Sequence, residues 1–237
     1  MAHYIVYETD ERTYFLKRML RDKTPVRDTH IFAPNLTLSE AELTALQSGD
    51  ELVCGKLDDS AKALCAAKGI TVRYLSKDET FMAENARLTA EGALGIVLEH
   101  SMLSLRDMKV LVAGFGRTGA AVCRLLTELN VDFDVVTSAS PRPAHAFAAK
   151  VFTPSEVDFS LYDVVINTAP AAVFTDEQAL SLPAESVYID LASRPAVNLE
   201  MLSGLGLDAG IYPALPAKCC PKSAARAMMN FVTEGQL

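Results

Sequence analysis

A glycine-containing turn between an apolar run and an amphipathic run constrains this sequence more than any other feature. The apolar residues 109–113 end at Gly114-Phe115-Gly116-Arg117-Thr118-Gly119, which we call the glycine loop, and apolar residues at helical spacing follow as far as Leu126. In such a strand, turn and helix, backbone N–H groups at the helix N-terminus can hold the diphosphate of a dinucleotide. Residues 133–137 complete the βαβ unit that the motif requires. The stretch predicts a site for a nicotinamide or flavin dinucleotide, and a tight turn that binds nothing is the alternative.

Composition and charge exclude several other classes of protein. Half of the 237 residues are hydrophobic, enough for a packed core, and the formal net charge is -8 without a block of Lys and Arg. Nucleic-acid binding needs clustered cations, so we expect no nucleic-acid partner. No apolar run approaches the roughly 20 residues that span a bilayer, and acidic residues occur within the first ten. We therefore expect a cytoplasmic protein with no membrane partner, and the spacing of the five cysteines predicts no metal site.

The chain before the glycine loop alternates between short apolar runs and helical patterns. Such alternation is typical of a parallel α/β domain, which we place at residues 1–84. The predicted strands are residues 3–7, 29–33, 51–54 and 70–75. The predicted helices are residues 11–21, 39–47 and 58–68.

A long helical pattern at residues 77–100 is predicted to connect this domain to a second one. The second domain is placed at residues 85–217, and residues 218–237 form a terminal helix. Its predicted strands are residues 109–113, 133–137, 163–167, 187–190 and 208–212. The predicted fold class is therefore α/β, with two Rossmann-like parallel-sheet domains joined by long connecting helices and the dinucleotide on the C-terminal domain. A substrate cleft is expected beside the connecting helix.

The residues that follow the second strand of the βαβ unit distinguish NAD from NADP. An NAD site commonly has an Asp or Glu there to bind the ribose hydroxyls, whereas this chain has Thr137 and Ser138, with Arg142 a few residues further on. A carboxylate would repel a 2′-phosphate, and an arginine can neutralise it. We therefore predict NADP, with NAD as the alternative. The alternative interpretation is that Arg142 is an ordinary solvated charge that contacts no cofactor.

Further candidate residues lie in the glycine loop and at later strand ends. Arg117 and Thr118 are placed to reach phosphate oxygens, although a surface cation and a helix cap are equally consistent interpretations. Ligands of open α/β sheets bind beyond the carboxyl ends of the strands, which favours contacts to the nicotinamide half of the cofactor there. Asp190 is the candidate carboxylate, with a turn residue as its alternative. The predicted cofactor contacts at the other strand end are Thr168, Ala169 and Pro170.

Several segments together resemble the A subunits of dipicolinate synthases, which make the dicarboxylic acid of bacterial spores. The Gly-Phe-Gly-Arg-Thr-Gly form of the glycine loop and the Asp-Leu-Ala-Ser segment at residues 190–193 carry most of the resemblance, which covers about residues 85–226. The matching segments are residues 89–93, 110–119, 167–171, 189–195, 215–216 and 221–224.

The resemblance implies an NADP-dependent oxidation, during sporulation, of a dihydrodipicolinate-like ring made from a lysine-pathway intermediate. It also implies that the partner is a flavoprotein-like B subunit. We also expect a homo-oligomer. A small dicarboxylate substrate requires cations, for which Arg194, Lys218, Lys222 and Arg12 are the candidates in that order. The predicted catalytic residues are Asp190, Arg194 and Lys222.

Two other functions are consistent with the sequence. One is a different NADP-dependent oxidoreductase of shikimate-dehydrogenase-like plan, and the other is a cofactor-binding subunit without catalysis. Residues 7–12 differ from the Gly-Gly-Asp-Ala-Arg-like turn expected in the family, and Ala214, Ala217 and Ala225 stand where glycines are expected. If those positions need a positive φ or a close approach of substrate, alanine reduces stability or reshapes the pocket.

Overall fold

The computed structural model describes residues 1–138, 149–170, 175–192, 195 and 197–234. By its internal contacts the chain divides into a first unit, Met1–Leu88 with Pro216–Leu237, and a second unit, Thr89–Leu215. The strands are β1 (Tyr4–Val6), β2 (Thr29–Ile31), β3 (Thr37–Leu38), β4 (Glu51–Cys54), β5 (Lys56–Leu57), β6 (Thr71–Tyr74), β7 (Lys109–Ala113), β8 (Asp132–Val136), β9 (Val151–Phe152), β10 (Val164–Asn167), β11 (Val187–Asp190) and β12 (Asp208–Ile211). The α-helices are α1 (Glu11–Met19), α2 (Asp59–Lys68), α3 (Glu79–His100), α4 (Arg117–Glu128), α5 (Asp176–Ala179), α6 (Leu199–Gly204), α7 (Leu215–Cys219) and α8 (Pro221–Glu234).

The first unit is built on a four-stranded sheet in the order β1-β2-β4-β6, all parallel, while β3 and β5 pair separately. These four strands succeed one another in chain order, so within the described part of the chain this sheet has no reversal of strand order. Ligands of doubly wound sheets bind where the order reverses. The first sheet therefore does not offer the crevice that a dinucleotide uses.

The C-terminal helix α8 belongs to the first unit and packs against α1. Met228 of α8 and Leu16 of α1 are fully buried in the same apolar cluster. Arg73 of β6 holds the end of α8, because its guanidinium donates hydrogen bonds to the backbone carbonyls of Phe231 and Val232 and lies over the Phe231 ring. A cation at a helix C-terminus also interacts favourably with the helix dipole. The terminal helix is thus anchored to the first sheet.

Three polar side chains form a chain of contacts on the first sheet. The Tyr7 hydroxyl lies 2.9 Å from Nδ1 of His30, and Nε2 of His30 lies 3.3 Å from the Asp50 carboxylate. The His30 side chain is only 5% exposed. Burial lowers the pKa of His30 from its ordinary value of 6.5, and the opposing attraction of Asp50 and Asp28 does not cancel this effect. His30 is therefore neutral in the native protein at neutral pH.

The lowered pKa of His30 predicts a specific loss of stability in acid. Below about pH 6.5 the unfolded chain binds a proton at this residue that the native protein does not bind, so the free energy of unfolding falls as the pH drops. Relative to the His30→Gln variant, the parent protein should lose up to about 1.4 kcal/mol per pH unit. Urea unfolding of both proteins between about pH 7.5 and about pH 5 measures this difference. Parallel pH profiles for the two proteins would contradict the prediction.

The second unit contains a six-stranded parallel sheet in the order β12-β11-β10-β7-β8-β9. Counted from β7, this is the strand order 6-5-4-1-2-3 of the dinucleotide-binding fold. The order reverses between β7 and β10, which are neighbours in the sheet. The predicted α/β class with parallel Rossmann-like sheets is confirmed, and the reversal fixes where a ligand crevice can form.

Both faces of the second sheet are covered, as the apolar β7 sequence requires. Val110 and Val112 are buried with residues of α3 and α4, whereas Leu111 is buried on the opposite face with Val165 and Tyr188. Alternate residues of a strand point to opposite faces, so a strand buried on both sides is apolar throughout. The apolar run before the glycine loop is therefore a central strand.

Most predicted elements are confirmed with ends shifted by a few residues, but the predicted helix at residues 39–47 is wrong. Only a 3-10 helix forms there, Glu40–Leu43, whose first turn is closed by a reciprocal pairing of Ser39 with Glu42. Leu43 and Leu46 are buried at the spacing of a helix, although Leu46 lies in an irregular turn. The strands β3, β5 and β9 were not predicted, since two residues show no periodicity.

Ala214 has a φ of +58°, in the left-handed region that favours glycine. It stands at one of the positions where the family resemblance leads us to expect glycine. Ala214→Gly should therefore raise the free energy of unfolding by about 0.5–1 kcal/mol, because a Cβ is unfavourable in this conformation. Ala225→Gly is the matched control, since Ala225 is buried inside α8 and its replacement should cost about 1 kcal/mol or more. Chemical denaturation compares the two variants, and destabilisation by Ala214→Gly would contradict the expectation.

Candidate functional site

The three glycines of the glycine loop have different surroundings. Gly114 directly follows β7 with a φ of +88°, and its N–H donates to the carbonyl of Val136 at 2.8 Å. A Cβ on Gly119 would lie 2.4 Å from the carbonyl oxygen of Gly114, so this position packs the helix onto the turn. A Cβ on Gly116 would meet nothing within 4 Å. Gly114 and Gly119 are thus required by the fold, and Gly116 faces open space.

The N-terminus of α4 lies at this open position. Gly116 is the N-cap residue, and because glycine has no side chain it supplies no side-chain cap to the helix. The first N–H groups of a helix lack partners within it and carry a partial positive charge. Gly116 and Arg117 are exposed, and Phe115 and Thr118 are half-buried. A helix start whose N-cap residue has no side chain fits the diphosphate of a dinucleotide.

Thr168 follows β10 and contacts the glycine loop across the reversal of strand order. Its backbone N–H donates to the carbonyl oxygen of Ala113 at 2.8 Å, and its hydroxyl donates to the same oxygen at 2.9 Å. The carbonyl oxygen of Gly114 lies 3.3 Å from the same hydroxyl. A Cβ on Gly114 or on Gly119 would lie 2.9 Å from Oγ1 of Thr168. The hydroxyl thus occupies the space that the two glycines leave.

Two adjacent strands end in the same kind of side-chain turn. Asn167 is fully buried, and its amide pairs with the backbone N–H and carbonyl of Ala169. Asp190 is equally buried, and it accepts hydrogen bonds from the Ala192 N–H at 2.9 Å and from the Tyr188 hydroxyl at 3.3 Å. Burial, together with the Asp190 carboxylate, raises the pKa of Tyr188, so its hydroxyl stays protonated and can donate. The Asp190 carboxylate thus closes a turn at the end of β11, and its predicted catalytic role stays a prediction.

The end of β8 presents one accessible hydroxyl. Thr137 is 4% exposed and its N–H donates to the carbonyl of Phe152, whereas Ser138 is exposed. Arg142 lies outside the described residues. The described end of β8 carries no carboxylate directly after the strand, and Asp134 within it is engaged by the Tyr162 hydroxyl at 2.9 Å. Of the two predicted hydroxyls, Ser138 is therefore the one that a ligand can reach.

The predicted cations differ in availability. Arg12 is 2% exposed and pairs with Asp10 at 2.8 Å, so its guanidinium is already engaged within the first unit. Lys218 and Lys222 are exposed. Arg194 lies outside the described residues. In the part of the chain that the structure covers, no group of three potential metal ligands occurs and no helix is long and apolar enough to cross a membrane.

Sequence reasoning missed two features of the molecule. The side-chain turn formed by Asn167 was not predicted, although an asparagine at a strand end before a small residue is a typical signal for such a turn. The contact of His30 with Asp50 was also missed, because 20 residues separate the partners and no local pattern joins them.

Strand order and glycine loop together define a two-unit α/β protein with the fold of NAD(P)-dependent dehydrogenases. A D-lactate dehydrogenase from Treponema pallidum superimposes with a TM-score of 0.63 at 14% identity, covering 99% of this chain and 97% of that protein. No family model matches the chain.

More specifically, the chain is similar to the A subunit of dipicolinate synthase. The relative from Bacillus subtilis (strain 168) is 25% identical over 178 residues, which are 71% of this chain and 58% of that protein. The crystal structure of its counterpart from Bacillus halodurans superimposes with a TM-score of 0.84 at 20% identity, covering 99% of this chain and 97% of that one. These likenesses confirm the resemblance inferred from the motifs. The matched region spans little more than half of the curated relative.

Proposed function

We propose that this protein is an NADP-dependent oxidoreductase that converts a dihydrodipicolinate-type ring to dipicolinate during sporulation. The observation that carries the cofactor part is the start of α4 at Gly116, an exposed N-cap residue without a side chain that lies at the reversal of strand order. The substrate part rests on the similarity to the A subunit of dipicolinate synthase. Bound NADP would supply the hydride acceptor for this oxidation.

The described residues support distinct tasks in cofactor binding. Backbone N–H groups of the glycine loop would hold the diphosphate, and the exposed Ser138 would face the adenosine ribose. The absence of a carboxylate directly after β8, within the described residues, favours a 2′-phosphate and hence NADP over NAD. Arg142 is proposed to neutralise that phosphate.

The reaction removes a hydride and a proton from the ring, and the product gains aromaticity. Two carboxylates on the substrate need cationic partners, for which we propose Arg194 first, then Lys218 and Lys222. The buried Asp190 is proposed to act on this region indirectly, because its hydrogen bond to Ala192 bends the chain at the end of β11, four residues before Arg194.

Replacement of Arg194 tests the substrate assignment. Arg194→Ala should raise the KM for the dicarboxylate about tenfold, because it removes one charge-assisted pairing, and should leave the affinity for NADP unchanged. Steady-state kinetics and a calorimetric titration with NADP measure the two effects. Lys62→Ala is the control, since Lys62 lies on the exposed surface of α2 and pairs with Asp59. Unchanged KM and turnover in Arg194→Ala would contradict the proposed role.

A single reconstitution tests the proposed reaction and the proposed partner. The purified chain is incubated with NADP and the lysine-pathway intermediate, with and without the B subunit of a dipicolinate synthase. Formation of dipicolinate together with NADPH supports the proposal, and a requirement for the B subunit supports the partnership. NADPH formed only with another hydroxy acid would indicate the shikimate-dehydrogenase-like alternative. Cofactor binding without any turnover would indicate a subunit that binds the cofactor but does not catalyse the reaction.

A further inference from the structure

Thr168 occupies a position from which it can control the glycine loop. The register of β10 with β7 pairs Asn167 with Ala113, so the next residues, Thr168 and Gly114, are neighbours across the reversal of strand order. Sequence reasoning assigned Thr168 a direct contact with the nicotinamide half of the cofactor. The structure gives its hydroxyl a different partner, because the hydroxyl donates to the Ala113 carbonyl at 2.9 Å and lies 3.3 Å from that of Gly114.

The glycine loop is held from two sides at its first residue. On one side the Gly114 N–H donates to the carbonyl of Val136, and on the other side the Thr168 hydroxyl lies against the Gly114 carbonyl. The same hydroxyl oxygen lies 2.9 Å from where a Cβ on Gly119 would be. One oxygen atom therefore lies beside both the start of the loop and the first turn of α4. Moving it changes the direction of the N–H groups that follow.

We propose that Thr168 is a positioning residue that sets the affinity of the glycine loop for the diphosphate of the cofactor. This inference rests on the proposed function, since it requires that the loop binds a dinucleotide. Thr168 acts through the backbone of residues 113–119, and the nicotinamide half is not its partner. The glycines at 114 and 119 then serve to admit the threonine hydroxyl, while Gly116 alone serves the ligand.

If Thr168 positions the glycine loop, its replacement affects a different set of ligands than the loss of a direct contact with the nicotinamide would. ADP-ribose and its 2′-phosphate contain the diphosphate but lack the nicotinamide. If Thr168 positions the loop, loss of its hydroxyl weakens the binding of these fragments and of the complete dinucleotides by the same factor. A residue that touches the nicotinamide half affects the complete dinucleotides alone.

The test is a calorimetric titration of the full chain and its Thr168→Val, Thr168→Ala and Thr168→Ser variants. The ligands are NADP, NAD, ADP-ribose and its 2′-phosphate. We expect Thr168→Val and Thr168→Ala to raise the Kd of all bound ligands about tenfold, and Thr168→Ser to stay within about twofold of the parent because it retains the hydroxyl. Thr168→Ala carries the test if the second methyl group of valine prevents folding, and melting curves verify that each variant is folded.

The outcomes separate this inference from the proposed function. If the folded parent protein binds none of the four ligands, the proposed function and the inference both fail. If the parent binds but the hydroxyl-free variants bind equally well, only the inference fails. The inference also fails if the hydroxyl-free variants bind NADP and NAD more weakly but bind the two ADP-ribose ligands as the parent does. It fails as well if Thr168→Ser loses as much affinity for the ligands as Thr168→Ala.

Discussion

Gly116→Ala should reduce the affinity for NADP about 100-fold while leaving the thermal stability of the protein unchanged. A Cβ at this position meets no atom of the described residues within 4 Å, so the described part of the fold accommodates it. The same Cβ would stand at the start of α4, where the proposed diphosphate would approach the backbone. Loss of one charge-assisted hydrogen bond costs roughly 1.5–3 kcal/mol, and about 2.8 kcal/mol corresponds to the expected 100-fold. Calorimetric titration with NADP and a melting curve measure the two quantities.

Gly95→Ala is the matched control for this experiment. Gly95 lies in α3, and a Cβ there also meets nothing within 4 Å. Alanine in the interior of a helix is favoured over glycine by about 0.5–1 kcal/mol, so this variant should be slightly more stable and should bind NADP as the parent does. Equal affinity of Gly116→Ala and Gly95→Ala for NADP would show that the glycine loop does not hold the diphosphate.

Gly119→Ala should instead lower the free energy of unfolding by about 2–3 kcal/mol. Its Cβ would lie 2.4 Å from the carbonyl oxygen of Gly114, which is backbone held by neighbouring strands and cannot move away easily. Overpacking of this kind typically costs a few kcal/mol because backbone and helix must separate. For a chain of this size the melting temperature should fall by roughly 5 °C or more. Urea unfolding of the parent and the variant measures the loss.

The contrast between the two variants is the informative result. Gly116→Ala should affect binding without affecting stability, and Gly119→Ala should affect stability even without ligand. If Gly119→Ala unfolds at the same urea concentration as the parent, the inference that α4 packs closely on the glycine loop at this position is wrong. The pair therefore separates a glycine that the ligand requires from one that the fold requires.

The sequence predicted the class of the fold well, because the decisive signals are local. The apolar run of β7, the three glycines and the amphipathic α4 lie within 20 residues, and their order defines one βαβ unit. The strands β4, β7 and β11 begin and end at the predicted residues. Where local pattern was ambiguous, as for Leu43 and Leu46, tertiary packing produced a short 3-10 helix and an irregular turn.

The candidate site was predicted less completely, because the roles of its residues depend on distant partners. Thr168 lies 54 residues from Gly114 along the chain, yet its hydroxyl is 3.3 Å from the Gly114 carbonyl. Thr137 and Ser138 are adjacent hydroxyl residues in the sequence, but only Ser138 is exposed, since β9 pairs beside Thr137. The sequence around Thr168, Thr137 and Ser138 contains no local pattern that would predict which hydroxyl is buried and which is exposed.

By itself the sequence determined that a βαβ unit with a glycine loop is present, because spacing along one strand, one turn and one helix encodes it. The tertiary structure alone decided that Gly116 is open while Gly114 and Gly119 are packed, and that Asp190 is buried in a turn. The physical reason is that parallel strands pair through crossovers many residues long, so the groups that meet at their carboxyl ends are far apart in the chain.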